Sequence, residues 1–318
     1  MKKIFALVLV LVMLLSVFTA CNDEAPGPDD RGMADTGDTS AEQNDGEEGE
    51  ASKPEANPIT DFEYSYSERY GGIGITKYVG TSKSIVFPDT IEGLPVAIIG
   101  GFVLASESNM GDLIESVVIP DTVEIIAPMA FWGCKNLVSV DFGEGVREIQ
   151  EQAFMYCTSL EKIILPPKLE SIGADAFSYC TAVKEIFIPK SVTSWNYNAG
   201  DYGLFSGYEK PSALTKITIE DGLVSLGSKY GSGMFCNAPL LEELVIPASI
   251  KLIEPYAFDS CTGLKSVKFL GDAPEVDENL FGYVGTVTSS ENLVIYYDPA
   301  TKGWDDTPLR QYMLVPIK

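Results

Sequence analysis

The segments AFWGCKNL at residues 130–137, AFMYCTSL at residues 153–160 and AFSYCTAV at residues 176–183 have the same form. Each begins with alanine and phenylalanine, has a cysteine three positions after the phenylalanine, and ends on an aliphatic residue. The step between successive segments is 23 residues, since the phenylalanines are Phe131, Phe154 and Phe177. A fixed period of this length is typical of a solenoid, in which each repeat forms one coil.

Other apolar residues also keep fixed positions within this period. A run of the form apolar-x-apolar-Pro, such as residues 163–166, predicts a short strand, because proline lacks the N–H that would continue a ladder. An apolar pair three residues apart, such as Val146 and Ile149, predicts a second extended segment, and Ala-Phe-x-x-Cys predicts a short helical turn. One such unit cannot bury its apolar face alone, so the units must stack with their short strands in parallel.

The complete repeat, Ile-Pro-x-x-Val-x-x-Ile-x-x-x-Ala-Phe-x-x-Cys-x-x-Leu, resembles the BspA-like leucine-rich repeat of bacterial and some protist surface proteins. The resemblance covers about residues 75–298. It implies a leucine-rich-repeat solenoid of the α/β horseshoe class, in a β-rich form, with surface exposure. Some members of this family attach to host proteins, so the resemblance also implies attachment as a possible role. The resemblance supplies no catalytic residues.

The regularity of the repeats divides the folded part of the chain into three segments. Residues 59–117 are expected to form an N-terminal cap and a degenerate first repeat, because they contain an alternating strand-like segment and an incomplete repeat. Residues 118–270 are expected to form the leucine-rich repeats, and residues 271–318 a last partial repeat with a C-terminal cap. Atypical terminal repeats are expected, since an end coil covers the core on one side only.

The N-terminus has the form of an export signal. Lys2 and Lys3 precede an apolar run over residues 4–20, which predicts a signal peptide over residues 1–20. Residues 18–21, Phe-Thr-Ala-Cys, resemble the bacterial lipobox, with phenylalanine where leucine is usual. The resemblance implies lipidation of Cys21 and attachment of an exported protein to the cell membrane, exposed at the cell surface. Plain secretion and an uncleaved membrane anchor are the alternatives.

Residues 21–58 consist of Cys21 and an acidic segment. Positions 22–58 hold twelve acidic and two basic residues and no aromatic residue. Such a composition buries too little apolar surface to offset the entropy of ordering, so we expect a disordered tether. A tail that binds a metal or a partner is the alternative interpretation.

Composition excludes several classes of function. The chain has no histidine, which removes Ser-His-Asp and Cys-His catalysis and every zinc site that contains histidine. Its 22 Lys and Arg against 46 Asp and Glu, a net charge of −24, argue against a nucleic-acid partner. We expect no cofactor and no metal, and regard an enzyme as a remote possibility.

Five cysteines remain beyond Cys21, and four of them share one position in the repeat. Equivalent positions in neighbouring coils lie about 5 Å apart, within disulfide range by distance. Their Cβ vectors should run parallel, however, and five thiols cannot all pair. We therefore expect a column of small buried apolar residues rather than disulfides.

Two surfaces are candidates for ligand binding. On the strands, Ile164, Phe187 and Val245 are expected to point outward as an apolar stripe between charged columns, which can mark an interface. The same residue types are also those that sheets favour in general. The charges at Glu161 and Lys184, and at Glu242 and Lys265, are expected to face each other across strands.

The second candidate surface is a pair of insertions at one corner of consecutive coils. The spacing from Trp195 to Phe205 and from Leu226 to Phe235 exceeds that of the regular repeats. Aromatic residues on such loops suit contacts with glycans or proteins, although insertions without a role are common. The candidate residues are Tyr197, Tyr202, Tyr208 and Tyr230.

The sequence thus predicts a non-catalytic cell-surface lipoprotein for binding or adhesion, which recognises an extracellular protein or glycan. The alternative is a structural protein of the cell envelope that associates with itself.

Overall fold

The structure is a computed structural model, and it describes residues 54–101, 103, 110–195, 204, 210–227, 234–282 and 292–317. These residues belong to one compact unit, Lys53–Lys318. Within these ranges no helix has the length and apolar character needed to cross a bilayer. The predicted signal peptide, Cys21 and nearly all of the acidic segment lie outside the described residues.

Short strands and turns make up the chain. The described residues contain three 3-10 helices, Ile59–Asp61, Met110–Leu113 and Pro308–Gln311, and no α-helix. The strands, in chain order, are β1 (Phe62–Ser67), β2 (Gly72–Tyr78), β3 (Ser84–Val86), β4 (Thr90–Ile91), β5 (Leu94–Ile99), β6 (Ser116–Val118), β7 (Ile125–Ile126), β8 (Ser139–Asp141), β9 (Glu148–Ile149), β10 (Lys162–Ile164), β11 (Ser171–Ile172), β12 (Glu185–Ile188), β13 (Ser194–Trp195), β14 (Lys216–Ile219), β15 (Ser225–Leu226), β16 (Glu243–Ile246), β17 (Leu252–Ile253), β18 (Ser266–Phe269), β19 (Glu275–Val276), β20 (Val294–Tyr297) and β21 (Met313–Pro316).

The strands form two parallel stacks, as the repeat predicts. The first stack contains the strands of the apolar-x-apolar segments, in the sheets β3-β6-β8, β10-β12-β14 and β16-β18-β20-β21. The second contains the two-residue strands, in the sheets β5-β7-β9-β11-β13 and β15-β17-β19. Along each strand of the first stack, apolar residues that point inward alternate with residues that point outward. Ile163 on β10 and its partner Ile186 on β12 point inward and are buried. The fold is therefore the predicted solenoid of about 23-residue repeats.

An antiparallel hairpin covers the first coil. Strands β1 and β2 pair antiparallel, and β2 then pairs in parallel with β5 of the next coil. The ring of Phe62 lies 5.5 Å from that of Tyr78 and 5.4 Å from that of Phe87, measured between centroids. The hairpin thus closes the apolar interior at this end of the described coils. The boundaries of the caps and repeats stay predictions.

The Ala-Phe-x-x-Cys segments differ from the predicted helical turn. The N–H of Phe131 donates to the carbonyl of Ala153 at 2.7 Å, and the N–H of Phe154 donates to that of Ala176 at 2.7 Å. Hydrogen bonds between coils require N–H and C=O groups that point toward the neighbouring coil. A helix instead directs these groups along its own axis, to residues of the same segment. The segment therefore consists of successive tight turns, and Gln152 has a φ of 57°.

The phenylalanines of these segments stack along the interior. The ring centroids of Phe131 and Phe154 are 4.9 Å apart with planes inclined by 11°, and those of Phe154 and Phe177 are 5.2 Å apart with planes inclined by 6°. All three side chains are fully buried. Phe235 and Phe258 repeat the arrangement at 5.5 Å. These rings are among the largest fully buried side chains, so their burial contributes to the stability of each repeat.

The cysteines of the described residues form no disulfide, as predicted. Cys134, Cys157, Cys180 and Cys261 are buried, and the last three donate an S–H to a carbonyl of the preceding coil at 3.1–3.2 Å. Burial raises the pKa of Cys261 to about 12 and that of Cys157 well above its ordinary value. These thiols stay protonated and act as small apolar residues.

Candidate functional site

The outward face of the first stack carries the predicted apolar residues. Ile164 and Phe187 are partners across the parallel strands β10 and β12, and the column continues to Thr218 on β14. The side chain of Ile164 is 54% exposed and that of Val245 is 47% exposed, whereas Phe187 is partly buried. Val245 belongs to a different sheet, where it pairs with Lys268. The structure therefore brings Ile164 and Phe187 together and separates Val245 from them.

The charged columns beside them confirm the predicted register. Lys184 lies 3.1 Å from Glu161, and Lys265 lies 2.7 Å from Glu242, each pair joining neighbouring coils. These ion pairs are more than half exposed to solvent, so each contributes on the order of a few tenths of a kcal/mol. The first residues of β10, β12 and β14 form a second charged column, Lys162, Glu185 and Lys216. This column shares the register but forms no ion pair among the described residues. Its charges remain available on the strand face.

The ladder of the first stack is interrupted at two places within the described chain, between β8 and β10 and between β14 and β16. Strands β14 and β16 are consecutive in the first stack, but they belong to separate sheets and no ladder joins them. In the second stack, β13 and β15 are likewise unjoined. The coil that carries β14 and β15 is therefore hydrogen-bonded to the preceding coil along β14 and to the following coil along β15.

The break between β14 and β16 coincides with a change in repeat spacing, whereas the break between β8 and β10 lies within the regular repeats. Hydrogen-bonded positions in neighbouring coils are 23 residues apart in the regular part, 31 apart where Thr215 meets Lys184, and 27 apart where Gly222 meets Ser249. Coils of unequal length cannot keep both strands in contact with both neighbours, since each ladder fixes the distance between strands at about 4.8 Å. One ladder is consequently lost on each side of the enlarged coil.

A cleft of about 810 Å³ opens between β14 and β16 on the strand face. Its floor is apolar, and Ile219 on β14 is 8% exposed, whereas the equivalent Ile188 on β12 is fully buried. Three carboxylates and one ammonium lie around it. The residues that line the cleft are Glu185, Thr215, Lys216, Ile217, Thr218, Ile219, Asp221, Glu243, Val245, Pro247, Ala248 and Leu270.

The cleft contains one of the predicted residues, Val245, and its other lining residues were not foreseen. The signal was present in the sequence, because the extra residues before Leu214 and Leu241 mark the coil that loses its ladders. From the sequence, the same irregular spacing favoured ligand binding at the inserted loops instead. The predicted loop residues Tyr197, Tyr202, Tyr208 and Tyr230 lie outside the described residues, and their role stays a prediction.

A column of half-buried aromatic rings follows the turns of three coils. Trp132 packs edge-on against Tyr156 at 5.7 Å, and Tyr156 stacks on Tyr179 at 4.4 Å. Stacking of a sugar requires a free ring face, and here the stacked faces of the two tyrosines cover each other. We therefore interpret this column as a structural contact between turns.

The strand face combines apolar and polar side chains at the cleft. Within the described ranges no three Cys, Asp and Glu side chains are grouped so that they could hold a metal ion. The cleft presents apolar side chains, threonine hydroxyls and charges of both signs. Such a surface suits a ligand that is partly apolar and partly polar.

Solved structures similar to this chain include bacterial leucine-rich-repeat proteins. A leucine-rich-repeat protein of T. pallidum is 27% identical, with 70% of this chain and 84% of that chain covered and a TM-score of 0.49. One from Bacteroides ovatus is 19% identical, with 76% and 70% covered and a TM-score of 0.47. The pneumococcal vaccine antigen PcpA is 16% identical, with 81% and 96% covered and a TM-score of 0.36. No curated protein matches the chain.

The sequence also matches the family model described as the BspA type leucine rich repeat region. The match contains six copies and covers residues 105–230 and 201–292, which together are more than half of the 318 residues. These matched ranges include the strands β6 to β19 and the cleft between β14 and β16. The chain therefore belongs to the BspA type leucine-rich-repeat family.

Proposed function

We propose that this protein is an exported, lipid-anchored binding protein that recognises an extracellular protein or glycan without catalysing a reaction. Its family is typical of bacterial surface proteins, which suggests a role in protein interaction or adhesion. Leucine-rich-repeat proteins are in general non-catalytic. The observation that carries the proposal is the cleft between β14 and β16, where the ladder of the strand face is interrupted and an apolar floor lies among charged side chains.

The cleft supports a binding role for a physical reason. Exposed apolar side chains on a rigid, hydrogen-bonded frame lose little entropy when a ligand covers them. Val245 and Leu270 provide such side chains, and Lys216 and Glu243 provide charges that no described residue pairs. The combination of an apolar centre with polar surroundings is that of a specific interface.

Arrays of glycans and of extracellular proteins, probed with the detergent-solubilised full-length protein, test this function. We expect at least one captured ligand whose affinity falls at least about tenfold in Val245→Lys, because an interface contact at the centre is worth on the order of 1–2 kcal/mol. Asp141→Lys is the matched control, since Asp141 occupies the equivalent outward position on β8. Equal capture by both variants would place the ligand-binding surface away from the cleft. If the protein alone sediments as oligomers, the alternative role as a self-associating structural protein of the cell envelope would be favoured.

Anchoring is tested by Cys21→Ser. We expect the variant to appear in the soluble fraction of the cell envelope or medium, because the acyl chains hold the mature protein on the bilayer. Membrane fractionation followed by immunoblotting measures the distribution. A variant that stays in the membrane fraction would show that residues 4–20 are an uncleaved anchor. A variant with Ser16→Ala, within the same apolar run, should fractionate like the unmodified protein.

A further inference from the structure

The cleft lies over the strands β14 and β16 rather than between them. Cα atoms of the two strands approach within 8 Å, so a ligand occupies the space above their side chains. The floor of this space is apolar and includes Ile217 and Ile219, which keep some exposure, and the exposed side chains of Val245 and Leu270 adjoin it. The volume of about 810 Å³ lies in the range of ligand sites.

One carboxylate at the first end of the cleft is not compensated. Lys162, Glu185 and Lys216 are partners across the ladders of β10, β12 and β14, so their charges alternate in sign from strand to strand. Glu243 is the first residue of β16, and its partner on β18 is the neutral Ser266. No ladder joins Glu243 to β14, and it forms no ion pair with any residue that the structure describes. Its negative charge is therefore available to a ligand.

A second carboxylate lies at the other end of the cleft. Asp221 follows the last residue of β14 by two positions, and it accepts a hydrogen bond from the N–H of Ser249 at 3.3 Å, which holds the side chain in place. Among the described residues that line the cleft, Lys216 provides the single ammonium group. The apolar floor is thus flanked by acidic side chains at both ends, an arrangement complementary to cationic groups.

We propose that the cleft takes arginine or lysine side chains of a protein partner, with their aliphatic stems on the apolar floor and their charged groups at Glu243 and Asp221. The inference rests on the proposed binding function and specifies its ligand as a protein. Arginine and lysine cover apolar surface with their methylene groups while the charged end stays among polar groups. Sugars bind by stacking on aromatic rings, and none of the described residues that line the cleft is aromatic.

Selection from a phage-displayed library of random dodecapeptides, with the detergent-solubilised full-length protein as target, provides the probes. We expect enrichment of peptides with arginine or lysine next to apolar residues. In synthetic copies of the selected peptides, norleucine in place of the basic residues should weaken binding at least about tenfold, because it keeps an aliphatic stem and removes the charge. Equal binding of the norleucine peptides, or enrichment without basic residues, would overturn the inference.

Three variants of the protein locate the binding. Glu243→Lys should weaken the selected peptides at least about tenfold, because repulsion replaces attraction. Asp141→Lys makes the same change in net charge at an exposed outward position of β8, and should change binding less than about twofold. Lys216→Gln should strengthen binding at least about twofold, since it removes the ammonium group that repels the ligand, and a misfolded protein would not show this gain.

The variants also separate this inference from the proposed function. Equal affinities of Glu243→Lys and Asp141→Lys for the selected peptides would overturn the inference. If a protein from the arrays then still depends on Val245, the proposed function stands. A captured glycan that depends on Val245 would likewise overturn the inference and leave the proposed function in place. If no captured ligand depends on Val245 or Glu243, both fail.

Discussion

Replacement of Phe154 by alanine is expected to lower the free energy of unfolding by about 3–5 kcal/mol. Phe154 is fully buried between Phe131 and Phe177, with centroid distances of 4.9 and 5.2 Å, and Phe142 contacts it edge-on at 5.6 Å. Its removal leaves a cavity inside the stack, because the coils on either side are held apart by their own hydrogen bonds. Chemical denaturation followed by circular dichroism measures the effect.

An exposed aromatic residue provides the control. Tyr66 on β1 is 56% exposed, so Tyr66→Ala should change the free energy of unfolding by no more than about 0.5 kcal/mol. Phe154→Leu should fall between the two variants, since leucine refills part of the cavity. A loss below about 1 kcal/mol for Phe154→Ala would contradict the stacked interior.

Gly271→Val is expected to destabilise the fold by about 2–3 kcal/mol through a collision of main chains. A Cβ atom at this position would lie 2.7 Å from both the Cα and the carbonyl oxygen of Ala248 in the preceding coil. The neighbour is backbone, which cannot turn aside as a long side chain can. Only glycine therefore lets the two coils approach this closely. Thermal unfolding measures the change.

Gly133 is the matched control, because neither the space around it nor its backbone conformation requires glycine. It has a φ of 74° with no atom within 4 Å of an added Cβ, and the equivalent Tyr156 and Tyr179 adopt φ values of 66° and 64°. Gly133→Asn should therefore cost no more than about 1 kcal/mol, since asparagine tolerates this conformation. Equal destabilisation by both substitutions would show that close approach at Gly271 is not the cause.

Much of the fold could be predicted because one contact repeats. A period of 23 residues places equivalent side chains on adjacent coils, so the pairing of Glu161 with Lys184 follows from the sequence alone. The solenoid, the parallel strands and the absence of disulfides among the described residues were predicted for the same reason.

The turns were less predictable. The left-handed conformations at Met129 and Gln152 carry no glycine signal, and a six-residue segment does not distinguish a helical turn from successive tight turns. The bonds to the next coil decide between the two, and these depend on tertiary structure.

The cleft could be located only in part. Irregular spacing marks the enlarged coil in the sequence, but which of its ladders is lost depends on how that coil tilts against both neighbours. Of the three predicted strand-face residues, only Val245 lines the opening. Ile164 and Phe187 lie on β10 and β12, which a ladder joins.

Residue-resolved amide hydrogen exchange tests the central claim, that the sheet is open between β14 and β16. The account predicts that the N–H groups of Ile217, Ile219, Glu243 and Val245 exchange at least about 100-fold faster than those hydrogen-bonded to a neighbouring coil. Lys216 and Glu220, on the same strand or directly after it, are the internal references. Equal protection of all six N–H groups would mean that a ladder closes the cleft, and would contradict the account.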